Sequence, residues 1–133
     1  MKKNTVLRAV LGSAVAVAGS LVVLPSAAQA VYYCKVKEVC VYSEHNARGS
    51  VLVIKGGTHN FLPGWVFQNG LAANDNASSI INYSGHNVIV STDYDSQGTR
   101  ALAVTGYITE FYGQPGSIPD NTMSFVTYTQ PAG

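Results

Sequence analysis

The feature that most limits how this chain can fold is an internal repeat. Val41-Tyr42-Ser43-Glu44-His45-Asn46-Ala47-Arg48-Gly49 parallels Val90-Ser91-Thr92-Asp93-Tyr94-Asp95-Ser96-Gln97-Gly98 at an offset of 49 positions. In each copy an apolar run enters a polar turn and ends on a glycine, which takes a positive φ without a Cβ penalty and so suits a tight hairpin. A second matched pair follows at an offset of 46. Asn74-Asp75-Asn76-Ala77-Ser78-Ser79 corresponds to Asp120-Asn121-Thr122-Met123-Ser124, with Phe125 where the last serine should stand. Hairpin and polar motif, each present twice, imply a duplicated folding unit.

Branched side chains set the class. From Val31 onward the chain has eleven Val and six Ile but four Leu. β-branched residues pack well on pleated sheets and lose rotamer freedom in helices. Short apolar runs bounded by Gly, Asn, Asp or Ser recur at 39–42, 51–54, 59–62, 79–83, 88–91, 100–104, 108–112 and 124–128. Eight such runs read as an all-β sandwich, with no sustained 3.6-residue rhythm against it. Each half then holds four strands, which suits a Greek key, and two keys back to back make one sandwich. A helical turn is expected at 63–69, between Pro63 and Gly70, with Phe61, Trp65 and Phe67 as core around it.

Residues 1–30 read as a signal peptide. Lys2, Lys3 and Arg8 precede an apolar stretch from Ala9 to Leu24, and Ala28-Gln29-Ala30 has the small-x-small form of a cleavage site. The alternative is a membrane anchor, against which stand the interrupting Gly12, Ser13, Gly19 and Ser20. The expected exported domain, residues 31–133, is secreted, extracellular and free of the membrane. The whole chain carries a net charge of +1. Its last 103 residues hold five basic and seven acidic side chains, a balance of −2 that leaves no basic patch for nucleic acid. Cys34 and Cys40 fit neither a zinc knuckle nor a Cys-x-x-Cys redox site. In an exported chain such a pair is most simply a disulfide, two free thiols being the alternative.

The paired polar motifs gather hard oxygen donors, which calcium prefers. The competing reading is that Asn, Asp and Ser merely satisfy their own turns. Two copies at equivalent points of a repeat favour the metal. Other chemistry is weaker. His45, His59 and His86 lack zinc-site spacing, and there is no nucleophile elbow or Cys-His pair. Asp93 and Asp95 sit in a turn where Asp is common anyway. The chain is therefore not expected to be an enzyme.

Taken together, the glycine-ended hairpins, the motif of form Asn/Asp-Asn/Asp-x-x-Ser/Thr-Ser, and a cysteine before and within the first strand resemble the βγ-crystallin domain. The likeness is to the small secreted bacterial type classed with the metalloproteinase inhibitors, and it spans residues 31–133. It implies a crossed pair of calcium sites, each drawing on both motifs and on a hairpin carbonyl. Carried over, Asn74, Asn76 and Ser78 would serve from the first motif and Asp120, Thr122 and Ser124 from the second. Asp75 and Asn121 fill the second motif position, and Glu44 and Asp93 would complete the shells. Few of these are anionic, so weak binding is expected, roughly 10⁻⁵–10⁻³ M. The resemblance also implies a monomeric inhibitor of a secreted metallopeptidase, presenting an extended loop at 113–118 or 93–98. Inhibitory members carry a second disulfide where this chain has one cysteine pair. The alternative is a calcium-stabilised structural or binding module without inhibitory activity.

Overall fold

The computed structural model describes residues 31–129; the expected leader, 1–30, and residues 130–133 lie outside the described residues. Eight strands form: β1 (Val39–Glu44), β2 (Arg48–Ile54), β3 (Thr58–Asn60), β4 (Ser79–Asn82), β5 (Val88–Asp93), β6 (Gln97–Ala103), β7 (Tyr107–Glu110) and β8 (Phe125–Tyr128). Each overlaps one of the expected apolar runs. β2 and β6 start three residues early because the polar hairpin residues also pair, Glu44 with Arg48 and Asp93 with Gln97.

Two four-stranded sheets result, in the orders β2-β1-β4-β7 and β3-β8-β5-β6. All pairings are antiparallel. The first unit contributes β1, β2 and β4 to one sheet and sends β3 to the other; the second unit returns the exchange with β7. The two Greek keys are thus interlocked, rather than each forming its own sheet as simple stacking would have it.

Strand alternation sorts the side chains. Val39 and Val41 of β1, Ile80 of β4, Val88 and Val90 of β5 and Val126 of β8 turn inward and join Phe61, Phe67, Phe111, Ile118 and Met123 in the buried core. The opposite face of β1 is also closed. Cys40 and Tyr42, with Val51, form a second buried cluster beneath Tyr32 and Cys34. Residues 31–37 therefore act as a strap over the outer face of the first sheet, pinned by the Cys34–Cys40 disulfide.

The strap is anchored through Glu38, a carboxylate only 5% exposed. Its Oε2 accepts hydrogen bonds from the Tyr32 hydroxyl at 2.8 Å and the Lys35 amide at 3.1 Å. Lys55 Nζ stands 3.7 Å from Oε1. Burial works to raise this carboxyl, but those two hydrogen bonds and the charges of Lys55 and Lys35 outweigh it, and the group lies below its ordinary value. The Tyr42 hydroxyl donates to the Tyr32 carbonyl at 2.8 Å and closes the strap from beneath.

The expected helical turn at 63–69 does not form. The segment makes successive tight turns, with Trp65 N–H on Leu62 O and Gly70 N–H on Phe67 O, and an isolated bridge joins Val66 to Ala72. Gly64 at φ +110° breaks any helix there. Phe67 is buried, and Trp65 packs on the core beside Phe61, ring centres 5.8 Å apart. A 3-10 turn appears instead at Tyr94–Ser96, between β5 and β6.

Candidate functional site: two crossed polar corners

The polar motifs meet at the seam between the sheets. Asp75 N–H donates to Met123 O at 3.0 Å, and Asn121 N–H donates to Ala77 O at 3.0 Å. These are the same bond written from either copy of the repeat. Likewise Ser78 N–H donates to Tyr42 O at 2.9 Å and Ser124 N–H to Ser91 O at 2.9 Å, so each motif is tied to the hairpin of its own unit. Asp75 and Asn121 both hold left-handed backbone, φ 59° and 57°, which Asp and Asn tolerate better than most residues. The motif's second position is thereby turned across the seam toward the other copy.

At one corner Ser124 Oγ donates to Asp75 Oδ1 at 3.2 Å, a hydroxyl of the second motif against a carboxylate of the first. The carbonyl of Asp93 lies on the same hairpin and accepts from Ser91 Oγ at 2.8 Å. At the other corner Ser78 Oγ donates to Ser43 O at 3.2 Å, and Ser79 Oγ donates to Glu44 O at 2.6 Å. The carbonyls of Glu44 and Asp93 thus hold equivalent places, and each receives a serine hydroxyl.

That equivalence explains the two departures in the repeat. Tyr42 pairs across strands with Ser79, and Ser91 pairs with Phe125. The aromatic and the serine have traded strands between the two copies. Phe125, 4% exposed, is accommodated in the cross-strand slot that Tyr42 fills in the other copy. Ser91 then supplies the hydroxyl that Phe125 cannot.

Not all expected ligand side chains point across the seam. Asn76 Nδ2 donates to Ala72 O at 3.0 Å and Asn74 O at 3.2 Å, and Thr122 Oγ1 donates to Pro119 O at 2.6 Å. Both side chains brace their own loops. Asn74 Nδ2 donates to Asp75 Oδ2 at 3.1 Å, while its Oδ1 is buried without a hydrogen-bond partner among the described residues. Asn121 Nδ2 donates to Asp120 Oδ2 at 3.3 Å.

Two residues that the motif pattern does not include, Asn60 and Glu110, latch the hairpins. Each ends the exchanged strand of one unit and holds the hairpin turn of the other. Asn60, last in β3, accepts from Asp95 N–H at 2.8 Å and donates to Asp95 Oδ1 at 2.9 Å. Glu110, last in β7, accepts from Asn46 N–H at 2.7 Å and lies 2.8 Å from His45 Nδ1. His45 Nε2 in turn lies 3.3 Å from Asp120 Oδ2, and the ring stacks on Tyr112 at 4.5 Å. The hydrogen bond with Glu110 raises His45 above the usual histidine value; burial opposes this, and the Asp120 charge adds to it. The separation of Asn60 from Glu110, one residue from the repeat offset, was the signal in the sequence.

The loops expected to be extended are closed. Gly113 N–H donates to Ile118 O at 3.0 Å and Ser117 N–H to Gln114 O at 2.8 Å, so residues 113–118 form a tight loop with an exposed tip. The 93–98 segment contains the 3-10 turn, with Asp95 and Ser96 both at positive φ.

Residues 27–103 match the model of peptidase inhibitor family I36. The chain belongs to this family. It is a family of peptidase inhibitors rather than enzymes, which agrees with the reading that the chain is not an enzyme. No curated protein matches the chain by sequence. Among solved structures, one from work on the evolution of the eye lens βγ-crystallin domain fold is 16% identical, covers 76% of this chain and 94% of its own, and has a TM-score of 0.59. The βγ-crystallin from Ciona intestinalis is 20% identical, covers 69% and 99%, and scores 0.54. A βγ-crystallin domain from Flavobacterium johnsoniae is 18% identical, covers 71% and 97%, and scores 0.54. These likenesses show that this inhibitor-family chain has the βγ-crystallin fold. Among the described residues no helix is long and apolar enough to cross a membrane.

Proposed function

We propose that this protein is a secreted, monomeric inhibitor of extracellular metallopeptidases whose two polar corners bind calcium weakly. The observation that carries the inhibitory part is the family match over residues 27–103. The rigid loop 113–118 is the surface offered to the enzyme. It is exposed at its tip and already closed by its own hydrogen bonds, so docking orders little new chain. Pro115 and Pro119 stiffen it further. Stoichiometric inhibition of a thermolysin-like enzyme, measured with and without calcium, tests the reading. Absence of inhibition at a large excess of protein removes it.

The calcium part is favoured by the Asp75–Ser124 contact across the seam. Asp75 Oδ1, Ser124 Oγ and the Asp93 carbonyl would serve one ion; Asn121, Ser78 and the Glu44 carbonyl would serve the other. The unpartnered Oδ1 of Asn74 is a further hard oxygen beside the first set. Asn76 and Thr122 act by shaping the loops, and Asp120 acts by accepting from Asn121 Nδ2 and facing His45. Bound metal would supply a cross-link between the two units. If melting with calcium rises while no peptidase is inhibited, the protein is instead the calcium-stabilised module.

A further inference from the structure

The strap creates a concave site whose lining includes no residue of loop 113–118. A cavity of about 360 Å³ lies between the strap, the β1–β2 hairpin and β4. Its size falls at the lower end of small-molecule sites, roughly 300–1,000 Å³, and suits one small unit rather than a polypeptide surface. Tyr42 and Ile81 line it from the sheet, Tyr33 and Tyr83 from the flanks, and Asn46 and Arg48 from the hairpin.

Two of these residues are exposed and take no part in the described packing or ion pairs. Tyr33 is 80% exposed, and its hydroxyl has no hydrogen-bond partner among the described residues. Arg48 pairs in register with Glu44, yet among the described residues no carboxylate oxygen stands within ion-pair distance of its guanidinium. An open aromatic face and an unpaired guanidinium share one cleft with the amide of Asn46. Aromatic faces take the C–H faces of sugar rings, amides and phenols take hydroxyls, and a guanidinium takes a carboxylate in two parallel hydrogen bonds.

We propose that this cleft binds a terminal uronic acid of an acidic carbohydrate, with Arg48 holding the carboxylate and Tyr33 and Tyr83 flanking the ring. The acidic balance of residues 31–133 gives no general attraction for polyanions, so preference for the acid comes from Arg48 alone. The site shares no lining residue with loop 113–118, and its test involves no peptidase.

Calorimetric titration of the purified protein with a galacturonate trimer, a galactose trimer and a short poly-glutamate peptide tests this. Saturable binding of the galacturonate trimer is expected, about tenfold or more tighter than the galactose trimer. Arg48→Gln abolishes the preference and Arg48→Lys recovers part of it. Tyr33→Ala weakens both sugars, and because both residues are exposed the melting temperature stays unchanged. Saturation by neither sugar, equal affinity for both, or unchanged preference in Arg48→Gln each overturns the proposal. Tighter binding of poly-glutamate than of the uronate assigns the cleft to acidic peptide and overturns the sugar.

Discussion

At the scale of single residues, the two proposed calcium corners differ where the repeat is imperfect. The second motif position, the one turned across the seam, is Asp75 in one copy and Asn121 in the other, while the first position reverses this with Asn74 and Asp120, so a carboxylate reaches across the seam at one corner alone. Hard cations bind more tightly as anionic ligands are added, and the corner containing Asp75 should fill first. Asp75→Asn should weaken the tighter site about tenfold or more in calorimetry, while the backbone bond from residue 75 to Met123 keeps the loop folded. Unchanged affinity would remove Asp75 from the ligand set. His45 supplies a second prediction. Its value is raised in the folded state by Glu110, so its contribution to stability is fully present below the unfolded value, about 6.5. That contribution fades as pH rises through the folded value. Melting temperature should therefore fall from pH 6 to pH 8, and His45→Gln should flatten that slope; an equally steep slope in the variant would refute it. The motif residues themselves were legible in the sequence because their spacing repeats. The exchange of Tyr42 and Ser79 for Ser91 and Phe125 was not, since it becomes visible only when cross-strand partners are known.

At the scale of elements, the strands were legible and the irregular segments less so. Period-two burial writes β-branched residues into the chain at fixed spacing, and all eight strands appear near where those residues cluster. Residues 63–69 misled because Pro63 and Gly70 are plausible helix boundaries. Burial of Phe67 and the left-handed Gly64 decide otherwise, and these are tertiary facts. Loop 113–118 was expected to be extended because a substrate-like inhibitor presents an extended segment, but the Gly113–Ile118 bond closes it. The strap is the element whose stability rests most on a covalent link. Its disulfide closes a short loop of sequence separation 6, which by loop entropy contributes roughly 2–2.5 kcal/mol. Replacing both cysteines by serine should lower the melting temperature by roughly 10 °C. The same variant should bare Tyr42 and Val51, read as new binding of a hydrophobic dye. Loss of less than a few degrees, with no dye binding, would mean that Glu38 and Tyr32 hold the strap unaided.

At the scale of the whole molecule, exchange of β3 and β7 makes the two units depend on each other. Neither sheet is complete without a strand from the other unit, and the latches at Asn60 and Glu110 fix each exchanged strand to the opposite hairpin. The crossed corners lie on the same seam. A cation held there would join residues distant in sequence, Asp75 with Ser124 and Ser78 with Asn121, and would be lost wholly on unfolding. Binding to the folded state alone stabilises by RT ln(1 + [L]/Kd). With a Kd on the order of 10⁻⁴ M, 10 mM calcium stands about 100-fold above it and contributes about 2.7 kcal/mol per site. For a domain of this size that is a rise of roughly 10–20 °C. Because the units are interlocked, the whole curve should shift as one transition rather than split. Magnesium at the same concentration should do far less, since it demands stricter octahedral geometry than a seam of serines, carbonyls and one carboxylate provides. Two separate transitions would show that the units fold independently. A single curve that ignores calcium would leave the interlock intact and return the polar corners to the role of satisfied turns.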